Sequence, residues 1–442
     1  MASIFMKTVL LSPVILSIGL LCVLCLRRVN VLLAILISAL VAGLLSGMKI
    51  THIMDAFIAG MGDNSETALS YILLGTFAAS MIHTGFSKML SETITRIVKH
   101  RTYGLFGILT LVAIASQNIV PIHIAFIPMM IPPLLKTMNQ LKIDRRAVAC
   151  ILAFGLKMPY IAIPAGFGII FQNLIADNMI QNGMFVQRSA IWQSTFILGI
   201  AMTVGLCIAV FISYRKPRVY SNVDNLEEQE HGMPRPQMNK SHAVILLAIL
   251  VTFIIQLLTH SLPLGALVGL SIIFLLRAVE HNRMDQLMSE GIYMMGFIAF
   301  VMLASAGFAN VLKTTGGIVA LVTTLTTFLP ESKLLTAFVI LLIGLLITMG
   351  IGTSFGTVPI LATVFVPICI KMHFSPQQTI VLMAAAAALG DAGSPTSDTT
   401  LGPTSGLNAD GQHHHIYDTC IPTFLHYNLA LILFALIGVV LL

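Results

Sequence analysis

GDAGSPTSDTTLGP, residues 390–403, decides how the rest of the chain is read. It interrupts an apolar run that begins near residue 379 with QTIVLMAAAAAL and extends to about residue 405. Pro395 and Pro403 have no backbone N–H to donate, and Gly390 and Gly393 weaken a helix further. The run is therefore a helix broken near its middle. Asp391 and Asp398 sit in the break, among the hydroxyls of Ser394, Thr396, Ser397, Thr399 and Thr400. Unwound backbone inside a bilayer is tolerated only where it lines a cavity or is buried in protein. Such breaks offer freed carbonyls, hydroxyls and half-helix ends to ions and solutes.

Composition puts that break in a membrane. The chain has 442 residues, 57% of them hydrophobic and 10% charged, and its mean hydropathy is +0.93. A soluble domain carries about a quarter charged residues. Only helix bundles and closed barrels span lipid, and the apolar runs here are unbroken and near the ~20 residues of a spanning helix. The net charge of +6 is then a matter of topology, with no nucleic-acid partner implied. Cys22 and Cys25 form a CxxC inside an apolar run with no second pair, which reads as helix packing rather than a metal site. The run at 8–26 ends in Arg27-Arg28 and lacks a small-residue cleavage site, so it reads as a first transmembrane helix.

The spans come in two sets. The first comprises 8–26, 29–47, 67–86, a paired segment at 103–136, 146–171 and 189–213. The second comprises 242–259, 263–279, 291–309, a paired segment at 334–373, 379–405 and 420–442. Between them lies a polar stretch rich in proline and mixed charge. This divides the chain into a first transmembrane repeat (1–214), a cytoplasmic linker (215–241) and a second repeat (242–442). Local likenesses support duplication: ASMIHTG (79–85) with ANVLKTTG (309–316), and PIHIAFIPMMI (121–131) with PILATVFVPICI (359–370). With the N-terminus outside, most of the 24 Lys and Arg fall on inside segments, as cytoplasmic loops require. Five spans and one paired segment per half make the repeats inverted, with both termini periplasmic in a bacterial inner membrane.

The first paired segment has room for two helices of about sixteen residues, short for a crossing, so it reads as a re-entrant helical hairpin, with the second as its counterpart. Two short spans would return to the same side equally well; length and small polar tips favour the hairpin. The tips are SQNIVP (116–121) and GTSFGTVP (352–359). The fold expectation is thus an all-α polytopic membrane protein of two inverted repeats, each with five spans and a hairpin, with broken helices at midplane.

Intramembrane ionisable groups are functional candidates because burying them is costly. Asp391, Ser394, Ser397, Asp398, Thr399 and Thr400 form an oxygen-rich set suited to sodium or a proton, with sodium expected at Asp398 and its neighbours. Asp398 could instead cap the half-helix that follows it. The first half has GLKMPYIAIPAG (155–166) at the equivalent place, with Lys157 where the second half has carboxylates. Its ammonium either stands in for a bound cation or snorkels to an interface. GTSFG (352–356) matches a hydrolase nucleophile pattern, but that motif works at a strand-to-helix elbow. His413, His414 and His415 are expected in a solvated turn, and residues 50–61 have the helical spacing of an interfacial helix.

GDAGSPTSDTT resembles the signature segment of the NhaC-type sodium/proton antiporter family, within the ion transporter superfamily. The hairpin tips resemble the Ser-Asn-Thr tips of its dicarboxylate/sodium symporters: Ser116, Asn118, Thr353, Ser354 and Thr357 match those positions, with Gln117 between the first two. The resemblance implies cation sites where tips meet broken helices, no cofactor beyond coupling sodium ions or protons, and a homodimer as found among its relatives. It implies sodium/proton antiport. The alternative is a sodium- or proton-coupled permease for a small polar solute such as an amino acid (histidine), since one branch resembles such permeases and GLKMPYIAIPAG carries no acid. No enzyme is expected.

Overall fold

The structure, a computed structural model, describes residues 12–87, 89, 93, 101–118, 123–165, 167–221, 238–259, 261–317, 320 and 332–442. The described residues fold into helices. In the first half these are α1 (Pro13–Leu26), α2 (Val31–Leu45), α3 (Ile50–Met61), α4 (Ser65–His83), α5 (Thr102–Asn118), α6 (His123–Gln140), α7 (Arg145–Ala162), α8 (Phe167–Gln181) and α9 (Arg188–Ser213). The second half contributes α10 (Lys240–Thr259), α11 (Leu262–Leu275), α12 (Met284–Thr314), α13 (Lys333–Ile351), α14 (Ser354–Lys371), α15 (Pro376–Ala388), α16 (Asp398–Leu407) and α17 (His415–Leu441).

Local sequence explains many boundaries. Proline opens α1 and α15, where its missing N–H costs nothing. Ser375 and Gln378 close a reciprocal capping box at the start of α15. The helix α3 has the bounds expected from its spacing. It turns Ile53 inward against Gly43 of α2 and Phe57 against Gly307 of α12, and leaves Ile50 and Ile58 about 60% exposed, as a helix lying along an interface would.

Four helices among the described residues are long and apolar enough to cross a bilayer: α9, α12, α13 and α17, with α12 counted from His281. The chain is a multi-pass membrane protein. Two bent pairs are apolar enough to add a crossing each if the pair forms one span: α7 with α8, at 51°, and the two segments of α14, Ser354–Ala362 and Val364–Lys371, at 47°. Since α13 has 19 residues and passes the crossing test, length does not argue that the second paired segment is re-entrant. Residues 119–121 of the first tip lie outside the described residues.

Packing across the halves follows an exchanged pattern. The third spans of the two sets, α4 and α12, lie against each other; α2 packs on α12 and α11 on α4. Likewise α6 packs on α16, and α14 on α8, so each paired segment touches the broken helix of the opposite half. At the centre stand α7 and α15. Residues 379–388 of α15 are all buried, and α7 is buried at every residue except Arg146 and Met158, as expected of a helix that is apolar all round. Of the polar linker, residues 222–237 lie outside the described residues. Its first part docks: Arg218 donates its N–H to the Lys142 carbonyl at 3.0 Å, and Ser221 and Gln412 exchange two hydrogen bonds of 2.7 Å.

Candidate functional site

The break between α15 and α16 holds Asp391 at 3% exposure. Lys157 reaches it from α7, also fully buried, with Nζ 3.0 Å from Asp391 Oδ2. The cation expected in the first half and the carboxylate expected in the second thus meet in one place. Four hydroxyls add to the same carboxylate, two from α14 and α7 and two from the start of α16. Ser354, at the start of α14, donates to Oδ2 at 2.6 Å; Tyr160 of α7 lies 3.3 Å from Oδ2 and 2.9 Å from the Ser354 hydroxyl. Ser397 donates to Oδ1. Thr399 approaches Oδ1 at 3.4 Å and donates to the Asp391 carbonyl at 3.1 Å. A buried carboxylate needs partners of this kind.

Tyr160 was missed in the sequence reading, although a signal existed: it follows Lys157 by three residues, and such a pair shares one helix face.

Backbone geometry brings the second tip to the break. Gly352 takes a left-handed φ of 79°, and a Cβ added there would lie 2.7 Å from Thr396 Oγ1. Only glycine permits both the turn and the close approach. Thr357 is buried and donates to the Thr353 carbonyl at 2.5 Å, so it secures the first turn of α14 rather than facing Asp391. In the first tip, Gln117 is buried; the side chains of Ser116 and Asn118 fall outside what the structure describes.

Within the break itself, Ser397 is the cap of α16, accepting from the Thr399 N–H, and Asp398 is the first helical residue. The Ser397 hydroxyl also lies 3.4 Å from Asp398 Oδ1, so it stands between the two carboxylates. Ser394 donates to the Met349 carbonyl at 3.1 Å, and Thr400 donates to the Ser394 carbonyl at 2.5 Å. These two tie the unwound strand together. Asp391, Asp398, Ser397 and Thr399 are the oxygen set that could hold a hard cation.

The histidine run is a solvated turn only at His414, which is exposed. His413 is 1% exposed and its Nε2 is 2.7 Å from Thr419 Oγ1. His415 places Nε2 3.0 Å from the Pro395 carbonyl and Nδ1 2.8 Å from Thr404 Oγ1. The reason is that α17 begins beneath the break, and a carbonyl freed by unwinding needs a donor. Below it, Arg145 forms a two-pronged pair with Asp410 at 2.6 and 2.5 Å and also donates to the Leu407 carbonyl. Burial pushes Asp410 upward, but these Arg145 hydrogen bonds hold its carboxyl below the usual range.

A family model described as the Na+/H+ antiporter family matches residues 151–439, which include both broken helices, and a second, described as the Na+-H+ antiporter family, matches residues 12–98. The chain belongs to the Na+/H+ antiporter family. It is a transporter and not an enzyme. An uncharacterized membrane protein of Vibrio parahaemolyticus is 43% identical over 442 residues, covering 97% of this chain and 99% of that protein. A putative amino acid transporter, YuiF, of Bacillus subtilis is 44% identical over 400 residues, covering 87% of this chain and 89% of its own length. Among solved structures, the Alcanivorax borkumensis YdaH transporter aligns over 88% of each chain, with a TM-score of 0.43 and 13% identity.

Proposed function

We propose that the chain is a secondary active transporter of two inverted repeats in a bacterial inner membrane, and that it exchanges sodium for protons at Asp391 and Asp398. The buried Lys157–Asp391 pair carries the reading. As an ammonium and a carboxylate, the pair is electrically neutral. A sodium ion that takes the place of the ammonium at Asp391 restores that neutrality only if Lys157 gives up its proton. Charge balance alone then links one sodium bound to one proton released, and burial enforces it because an unbalanced charge in low dielectric is costly. Ser397 and Thr399 supply further oxygens, and Asp398 a second carboxylate one hydroxyl away. The exchanged packing of α6 on α16 and of α14 on α8 supports two repeats related by symmetry.

A second reading is sodium- or proton-coupled uptake of a small polar solute such as an amino acid, histidine among them. The name of the Bacillus subtilis relative favours it. Proteoliposomes separate the two. A sodium gradient that moves lumenal pH with no organic solute present is the expected result. Labelled amino acid accumulated on a sodium gradient, with no such pH change, refutes antiport. Asp398→Asn is expected to insert normally and lose coupled transport; full activity in that variant refutes the site.

A further inference from the structure

Two cavities adjoin on the side of the break expected to face the cytoplasm. One, of about 230 Å³, is lined almost wholly by apolar groups: Gly393 and Pro395 of the break form its inner wall, and Leu26 and Leu425, each 47% exposed, form its mouth. The other, of about 500 Å³, is mixed in character, with Arg28, Asn30, Gln412 and His414 among its polar lining. Cys25 and Ile416 line both, so a single amphipathic recess runs from the bilayer-facing end of α1 to the unwound strand.

Its rim has the chemistry of a head-group layer. The Arg28 guanidinium lies 5.3 Å from the centre of the Tyr417 ring, and the Tyr417 hydroxyl donates to the Leu26 carbonyl at 2.6 Å. Tyrosine and arginine at a helix end mark the membrane–water boundary. The acid in the recess, Asp418, is already matched: Arg218 lies 2.8 Å from it and the His414 N–H donates to it. Arg28 is therefore the charge offered to a ligand. An inorganic ion gains nothing from the apolar chamber, and a wholly apolar molecule gains nothing from Arg28.

We propose that this recess binds one anionic phospholipid of the adjoining leaflet, with an acyl chain in the apolar chamber against Gly393 and Pro395 and the phosphate at Arg28. Basic pockets between spanning helices hold anionic head groups by this combination. Because the chain end touches the break beside Met349 of α13, the lipid braces the unwound strand. The proposal does not depend on which ion or solute is carried.

The test uses the purified full-length protein in nanodiscs of mixed phosphatidylcholine and phosphatidylglycerol, released into detergent, with retained lipid measured by native mass spectrometry. Phosphatidylglycerol should be retained over phosphatidylcholine by about fivefold, the factor one basic residue near a bilayer surface contributes. Arg28→Gln should abolish that preference, and Cys25→Phe, which fills the shared wall, should reduce retention of both lipids. An unchanged preference in Arg28→Gln overturns the proposal, even if Cys25→Phe fails to fold. So does displacement of the lipid by a labelled amino acid, which would make the recess a solute route.

Discussion

Removing the charge of Asp391 while keeping its shape tests how the two halves are joined. In Asp391→Asn the Lys157 ammonium is left in a fully buried position, with no other hydrogen-bond partner for Nζ among the described residues. Breaking one side of a buried ion pair costs on the order of 3–5 kcal/mol. The converse variant, Lys157→Met, is milder, because Asp391 keeps the hydroxyls of Ser354, Tyr160, Ser397 and Thr399, and hydrogen bonds to a charged group are worth roughly 1.5–3 kcal/mol each. The double variant strands no charge, and replacing both members of a buried pair is often close to neutral. Its apparent melting temperature in detergent, followed by circular dichroism, should therefore lie above that of Asp391→Asn alone. At roughly 2–4 °C per kcal/mol for a mid-sized domain, recovering most of that 3–5 kcal/mol should raise the melting temperature by about 6–20 °C. If the losses in the two single variants simply add in the double, the pair is not coupled and the convergence at Asp391 is refuted.

Two further outcomes follow from the geometry. Burial holds His413 below the ordinary imidazole range, so below pH ~6.5 the unfolded chain binds a proton that the folded one refuses. The stability from neutral His413 is complete above that pH and declines as pH falls. His413→Gln should flatten the fall in melting temperature between neutral and mildly acidic buffer, and an unchanged slope would contradict this. At Gly352, an alanine would be held in a left-handed conformation, costing about 1–2 kcal/mol, with its Cβ pressed on Thr396. Gly352→Ala should lower the melting temperature and slow transport, and wild-type behaviour in both would show that the tip does not bear on the break.

Much of the site was legible because the bilayer makes charge conspicuous. Asp391, Asp398 and Lys157 stand out in apolar runs, and proline and glycine mark where the helices stop. That Lys157 pairs with Asp391 was not legible, since it depends on which helices become neighbours across the halves. Tyr160 escaped notice because an aromatic in an apolar helix resembles ordinary packing until a carboxylate lies beside it. The histidine run misled for the opposite reason. Three polar residues after a loop look solvated, as His414 is, but His413 is buried and His415 is drawn inward to the Pro395 carbonyl, a group that no side-chain pattern reveals. Length also served poorly for the second paired segment, whose α13 continues for 19 residues and is long enough to cross a bilayer.

The Arg145–Asp410 pair gives α7 and α16 a common pivot. It joins the first residue of α7 to the loop just beyond the end of α16, while Lys157 and Asp398 project toward the far end of the same two helices. Lys157 lies twelve residues from that pivot, about 18 Å along a helix. A tilt of only about 5° over that arm displaces the lysine by about 1.6 Å, half the Nζ–Asp391 separation, while leaving Arg145 seated. The rigid end and the responsive end of the device are thus set by where one buried arginine is fastened, and small angular changes at the base become whole-bond changes at the carboxylate.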